Sequence, residues 1–361
     1  MGRDPLRVVF QLVTPVYCGG ADPSVSSFRI PSLKGVLRWY WRALAWRDVR
    51  TNADSSLAPL EQLRRDEQVL FGSAETGSGL FSMRLADEKL ASGQDSINKN
   101  QFKYLAYGLD GRSHALYEDS TFEVEFIFLH RKAGRTGSDL DVLEQSLFRA
   151  ISVFGVLGGI GARTRRGFGS VRIVGGTVGV DKRLEAPSTI EELEDFLDEL
   201  MPQAQERRIA GELPPYTAFS QSSSFRLVPH QSLDDALRKV EHRLKTFRGE
   251  IRKREKDQLM GDGTLTARAA FGLPMVFREE RQSIKVLKGD KLARRASPVF
   301  IHIAWLDGEA KPFVEIDSYL PSTYILQGYR IEANKETLDV DEDMIHKAAY
   351  DFLTYNAPES R

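Results

Sequence analysis

The feature that most constrains this chain is a short segment, Gly158–Ser170, lodged between a helical run and a strand-like run. It holds five glycines and three arginines. Glycine admits positive φ and close approach of another chain. Arginine presents a rigid fork of donors that matches phosphate oxygens. Nucleotide-binding glycine motifs follow a strand and open a helix, whose N-terminus holds the phosphates. Here the order is reversed, and the P-loop lysine is missing. A loop in this position predicts the last crossover of an α+β unit, not a dinucleotide fold.

The flanking periodicities complete that unit. Leu6 to Thr14 alternates Val8, Phe10 and Leu12 against Arg7 and Gln11, as a strand does. Leu33, Val36, Leu37, Tyr40 and Leu44 form a helical stripe, with Ser32 as the expected N-cap. Leu57–Phe71 predicts a second helix, then Leu80–Leu85 and Thr121–Leu129 predict strands, with residues 87–118 polar and loop-like between them. Asp139 is placed to cap a helix carrying Leu143, Leu147, Ala150, Ile151 and Phe154, and Ser170–Val174 closes the unit. Strand, helix, strand, strand, helix, strand is the ferredoxin-like (RRM-like, βαββαβ) order.

After this first domain, residues 1–180, comes an acidic linker region, 181–215. It is opened by a Ser188/Glu191 capping box, with Leu193, Phe196, Leu197 and Leu200 apolar. Residues 216–361 read as a less regular copy: a strand at Ser223–Val228, a helix at Leu233–Ile251, a hairpin of Val299–Trp305 with Phe313–Ile316, and a helix at Met344–Leu353. The predicted fold class is α+β, two ferredoxin-like domains with insertions.

Lysine and arginine number 50 against 51 acidic residues, a net charge of −1, so any polyanion site must come from local clustering. Lys34, Arg38 and Arg42 recur every four residues along one helix face. Arg163, Arg165 and Arg166 sit in the glycine loop. Lys285, Lys288, Lys291, Arg294 and Arg295 precede the hairpin. Phe168 in the loop and Tyr17 before Gly19 suit base stacking or core packing. Of Trp39, Tyr40 and Trp41, at least one is expected to face away from the core stripe. The acidic run from Glu191 to Glu199 would repel RNA and suits solvent or a basic protein.

Catalytic chemistry is poorly supplied. Cys18 is the single cysteine, which excludes a disulfide framework and a thiolate metal site and suits a reducing cytoplasm. No apolar run reaches the length of a membrane span. The six histidines, His114, His130, His230, His242, His302 and His346, lack metal-ligand spacing, so neither metal nor cofactor is expected. Metal-independent RNA cleavage needs a general base near a 2′-OH, a role left to His114 or His130.

The Gly158–Ser170 loop resembles the glycine-rich signature of the RAMP superfamily, the repeat-associated proteins of CRISPR–Cas systems. Thr14 to Gly20, Phe28 to Arg42, Leu70 to Ser73, Tyr104 to Gly108 and Arg294 to Pro298 resemble, more narrowly, the RAMP subunit counted first in type III-B (Cmr) effector complexes. The resemblance is dense over residues 8–175. It implies a non-catalytic subunit that contacts crRNA or target single-stranded RNA near the crRNA 3′ end, beside other RAMP subunits. The residues expected to bind RNA are Lys34, Arg38, Arg42, Gly158, Gly159, Gly161, Arg163, Thr164, Arg165, Arg166, Gly167, Phe168, Arg294 and Arg295. Two alternatives stand beside this reading: a metal-independent endoribonuclease that processes precursor crRNA with a base such as His130, and a purely architectural cap.

Overall fold

The structure is a computed structural model. It describes residues 5–19, 27–51, 59–94, 102–109, 114–116, 120–129, 137–178, 182–200, 213–255, 267–277, 282–324, 328–333 and 336–358. In chain order the first part comprises β1 (Leu6–Leu12), α1 (Ile30–Thr51), α2 (Pro59–Phe71), the two-residue strands β2 (Gly72–Ser73) and β3 (Gly77–Ser78), β4 (Phe81–Lys89), β5 (Ser92–Gln94), β6 (His114–Leu116), β7 (Thr121–Phe128), α3 (Gly137–Leu157), β8 (Val171–Val178) and β9 (Lys182–Arg183). The main sheet runs β4-β7-β1-β8-β9. Its first four positions are the second, third, first and fourth strands of a βαββαβ unit, with β1 antiparallel to both β7 and β8.

Alternation decides which face is covered. Leu6, Val8, Phe10 and Leu12 are fully buried, and Phe10 stacks on Phe122 at 5.2 Å and meets Phe154 of α3 edge-on at 5.5 Å. The opposite face carries cross-strand ion pairs, Arg7 to Glu125 at 2.7 Å and Arg84 to the same carboxylate. That charged ladder explains why a strand with Glu123 and Glu125 in it still pairs centrally. β4 runs on to Lys89 and the β5–β6 ladder follows, where a loop is expected from sequence. Beyond Leu85 the strand is exposed, so no apolar alternation marks it.

Next come α4 (Ile190–Leu200), β10 (Ser224–His230), α5 (Leu233–Arg254), β11 (Met275–Phe277), β12 (Gln282–Lys288), β13 (Lys291–Ala293), β14 (Val299–Trp305), β15 (Phe313–Tyr319), β16 (Tyr329–Ala333), β17 (Glu336–Thr337) and α6 (Glu342–Thr354). β10, β15 and β14 form a sheet in that order. This is the first, third and second strand of the same plan, with α5 and α6 as its helices. β11, β12, β13, β16 and β17 build a separate antiparallel sheet inserted on either side of the β14–β15 hairpin.

Both faces of the β10-β15-β14 sheet are covered. Val299, Ile301 and Ile303 join Leu237, Val240, Phe247 and Phe352 from α5 and α6. Ala304, Val314 and Ile316 join the core of the first domain. Trp39 of α1 packs on Phe300 of β14 at 5.3 Å, and Trp41 is 2% exposed. Neither tryptophan is turned outward: Trp39 is covered by β14 of the second domain, and Trp41 packs on Phe71 of α2 and donates to Ser146 Oγ of α3 at 2.8 Å.

Two caps differ from expectation. α1 starts at Ile30, so Ser32 lies in its first turn and donates its N–H to the Arg29 carbonyl at 3.0 Å. In α4 the cap is Thr189, whose Oγ1 accepts from the Glu192 N–H at 3.2 Å, while the Glu192 carboxylate accepts from the Ser188 N–H at 2.7 Å. The capping box is shifted by one residue. Among the described residues no helix is long and apolar enough to cross a membrane.

Candidate nucleic-acid interface

The glycine–arginine loop is built by hydrogen bonds to both domains. Toward the first, Ala162 N–H donates to the Tyr17 carbonyl, Gly169 N–H to the Pro15 carbonyl (both 2.9 Å), and Ser170 N–H to Thr14 Oγ1 at 2.8 Å. Toward the second, Gly167 N–H donates to the Ile301 carbonyl at 2.8 Å, and Ser170 Oγ accepts from Ile303 N–H at 3.2 Å. β14 is the edge strand of its sheet, and these bonds close its open row of backbone groups. The loop therefore staples the domains together.

Its glycines serve that closeness. A Cβ at Gly169 would stand 2.0 Å from the Ile160 carbonyl oxygen, and one at Gly158 2.1 Å from that of Phe154. Gly158, Gly159 and Gly167 are buried and only Gly161 is exposed, so the chain itself fills the space that glycine leaves. Phe168 is 1% exposed and meets Tyr17 edge-on at 5.7 Å. Both rings pack inside rather than offering a face to a base.

The arginines are turned toward the seam between the domains. Arg163 is the one described non-glycine residue with positive φ (66°, with ψ 23°), and it opens a single 3-10 turn, Thr164–Arg166, that ends at Gly167 (φ 82°). The turn sends its three arginines to different aromatic partners. Arg165 lies 4.3 Å from the Phe300 ring and 5.8 Å from Trp39, and it donates to the Ser297 carbonyl. Arg166 lies 5.9 Å from Tyr104 and Arg163 6.0 Å from Tyr107. From the second domain, Arg248 of α5 reaches Tyr104 and Phe271, each at 5.7 Å. Arg295 covers Tyr324 at 5.1 Å and donates to Ser322 Oγ at 2.7 Å.

Among the described residues none of these five arginines is ion-paired to a carboxylate. Burial lowers the guanidinium pKa of Arg165 and of Arg166 to about 10. For Arg166 the charges of Arg248 and Arg163 add to it, and for Arg165 that of Arg295. Burial also lowers Arg163 and Arg295. All remain cations at neutral pH. Like charges gathered out of water with little counter-charge, that of Glu342 on Arg295, are costly, and an arriving polyanion would relieve that cost.

The Lys34, Arg38 and Arg42 stripe faces elsewhere. Arg38 and Arg42 both hydrogen-bond the Glu67 carboxylate of α2, at 2.5 and 2.6 Å, while Lys34 lies 5.2 Å from the Phe81 ring. Burial alone would raise Glu67, but its bonds from Arg42 and Arg38 hold it below the usual carboxylate range. Two cations share one anion, so this face is partly neutralised. It is also separated from the loop, because Trp39 on another side of the helix is the residue that approaches Arg165. Thr164 is half-buried within the turn, and Arg294 is exposed.

Sequence reasoning passed over Tyr104, Tyr107 and Arg248 as site residues. Residues 102–109 form a turn whose Phe102, Leu105, Ala106 and Leu109 are buried in the second-domain core. Their backbone is held by Glu241 of α5, which accepts from the Tyr104 and Leu105 N–H groups at 3.3 and 3.4 Å. The i, i+3 pair Tyr104 and Tyr107 is left facing the arginines. An aromatic cluster interrupting a polar stretch was the available signal. Of the proposed catalytic histidines, His130 lies outside the described residues. No three His, Cys, Asp or Glu side chains converge as a metal group among those described.

A ferredoxin-like unit with an arginine loop ahead of its last strand is the class defined here, and residues 9–172 match the RAMP superfamily model. The matched stretch includes most of the Gly158–Ser170 segment. The chain is more particularly similar to Cmr1 proteins. The CRISPR system Cmr subunit Cmr1-2 of Pyrococcus furiosus is 29% identical over 189 residues, covering 46% of this chain and 95% of that protein. The Cmr subunit Cmr1-1 of the same organism is 25% identical over 319 residues, covering 82% and 81%. Among solved structures, apo Cmr1 from Pyrococcus furiosus superposes with TM-score 0.58 at 20% identity over 89% of each chain. A chain of a type III-B Cmr-beta complex bound to cognate target RNA gives 0.56 at 13% identity, covering 97% of this chain and 100% of that one. At such identities these superpositions speak for the fold.

Proposed function

We propose that this chain is an RNA-binding, non-catalytic subunit of a type III-B CRISPR effector complex, and that the arginine-lined seam between its domains holds single-stranded RNA, guide or target. The observation that carries the reading is the set of Arg163, Arg165, Arg166, Arg248 and Arg295, none of them ion-paired to a carboxylate among the described residues, on a chain whose net charge is −1. Relatives named as Cmr subunits, and the fold it shares with a chain of a complex bound to target RNA, support the same ligand and supply the partners: crRNA, target RNA and other RAMP subunits. Aromatic rings interleaved with the guanidinium groups suit single-stranded nucleic acid, whose bases stack while its phosphates pair. Phosphate contacts of this kind position a strand without reading its sequence.

Cleavage has little support among the histidines whose side chains are described, which do not include His114 and His130. His302 is buried, and desolvation lowers its pKa to about 3. His230 is buried against Glu315 at 3.1 Å, His242 lies 2.8 Å from the Pro358 carbonyl, and His346 is 2.6 Å from the Tyr319 hydroxyl. The test is a titration of the purified chain with a single-stranded oligonucleotide at several salt concentrations. Replacing Arg163, Arg166 and Arg248 together by alanine is expected to reduce the magnitude of the log–log salt slope by about 2, roughly 0.7 per lost phosphate contact. An unchanged slope and affinity would remove the seam from the RNA path.

A further inference from the structure

We infer that Lys288 and Lys291, paired across the β12–β13 hairpin, form a second phosphate-binding step that takes the RNA strand where it leaves the seam at Arg295. This deepens the RNA-binding reading and rests on it. Both lysines are exposed, and their hairpin belongs to the inserted sheet rather than to the βαββαβ plan.

Two observations set this pair apart from an ordinary solvated surface. The register puts Lys288 directly opposite Lys291, and like charges so placed destabilise a ladder. The two-residue turn Gly289-Asp290, with Gly289 at φ 57°, fixes that register. The carboxylates at hand are also committed elsewhere. Asp290 in the turn and Glu332 on β16 both bind Arg330, at 3.3 and 2.6 Å. Among the described residues neither lysine is ion-paired, and Lys288 Nζ lies 5.4 Å from the Tyr329 ring.

Alternation fixes the face on which the pair lies. Ile284 and Val286 of β12 and Ile331 of β16 are buried in the second-domain core. Lys288 shares their face and stands opposite Tyr329. That face is apolar where the core covers it and cationic at the hairpin end. Leu287 and Leu292 pair on the other face, where Leu292 is 63% exposed. A protein partner would be drawn to that leucine, whereas charge beside one half-buried ring suits a phosphate chain. The location also continues the seam. Arg295 follows Lys291 by four residues and is bridged to Leu273 by backbone bonds of 2.7 and 3.1 Å. Four residues span at most about 14 Å, the length of roughly four stacked nucleotides.

The experiment titrates the full chain with a twenty-residue oligouridylate between 50 and 200 mM salt. Replacing Lys288 and Lys291 together by alanine is expected to reduce the magnitude of the log–log salt slope by about 1.4, roughly 0.7 per lost phosphate contact. Across that salt range the variant should then lose about 7-fold less affinity than the wild type. Lys288→Arg with Lys291→Arg should keep the wild-type slope, and so should Lys285→Ala, which removes a lysine from the opposite face. Wild-type slope and affinity in the double alanine variant, or an equal fall in Lys285→Ala, would overturn the hairpin step. Unchanged RNA binding with a loss of polyglutamate binding would overturn it too, and give the face to an acidic protein. The seam is tested separately: a lower slope in the hairpin variant, but none in the variant lacking Arg163, Arg166 and Arg248, would remove the seam, and with it the hairpin's place as its continuation. A wild-type chain that shows no salt-dependent RNA binding would overturn the functional reading and the hairpin step together.

Discussion

Gly169→Ala is expected to destabilise the protein by about 3 kcal/mol and to weaken RNA binding with it, because one backbone position holds the loop, the edge of β14 and the arginines together. Gly169 has φ 72°, where an L side chain is strained, and an added Cβ would lie 2.0 Å from the Ile160 carbonyl oxygen. That atom is backbone, so no side-chain rotation relieves the contact. Relief requires the loop to open, which breaks the Ile160 N–H to Gly169 carbonyl bond at 2.9 Å and displaces Gly167 from Ile301. Gly161→Ala also meets strain, at φ 86° and 2.8 Å from the Tyr17 carbonyl. Gly35→Ala, in open space on α1, should be neutral or slightly stabilising, since helix propensity favours alanine. Chemical denaturation of the three variants separates these cases.

The second large effect concerns a charge network that holds the second domain together. Arg243 of α5 donates to both Glu315 and Asp317 of β15 and to the Phe352 carbonyl at 2.9 Å, with its guanidinium 4.1 Å from the Phe352 ring. Glu315 and Asp317 are 1% and 0% exposed. Burial, then the neighbouring Glu315 charge, raises Asp317. Glu315 is held low, against burial, by its bond to His230 and by Arg243. Of the two carboxylates, Glu315 keeps the charge and Asp317 takes the proton more readily. Arg243→Met should cost about 3–5 kcal/mol, because removing the cation leaves the two buried carboxylates only His230, 3.1 Å from Glu315, and Arg226, 3.6 Å from Asp317. The triple change Arg243→Met, Glu315→Leu and Asp317→Asn should recover much of that loss, and a urea midpoint for each protein measures both effects.

These two sites show what a sequence carries and what it withholds. Arg243 and Arg248 lie on one helix, five residues apart, within one basic run. Arg243 is locked into the core by carboxylates on β15, and Arg248 stands at the seam over Tyr104. Nothing local distinguishes them, because the partners come from 72 and 144 positions away in the chain. The same limit applies to Arg38 and Arg42, whose regular spacing is legible but whose shared carboxylate, Glu67, belongs to another helix. The strands and helices that build the two cores were legible because alternation and helical stripes record burial on one side. β5, β6 and the inserted strands β11, β12, β13, β16 and β17 were not, being short or paired only with one another. The glycine–arginine loop lies, as expected, between a helix and a closing strand, and its glycines pack closely against neighbouring backbone. Its arginines need the second domain to define their direction.

The most direct measurement of the central claim is photo-crosslinking of RNA to this chain within an assembled type III-B complex, with the modified peptides identified by mass spectrometry. The account predicts crosslinks in the 102–109 turn and in peptides carrying Arg163–Arg166, Arg248 and Arg295. Crosslinks confined to the outer face of the first sheet or to α4, with none in those peptides, would contradict it.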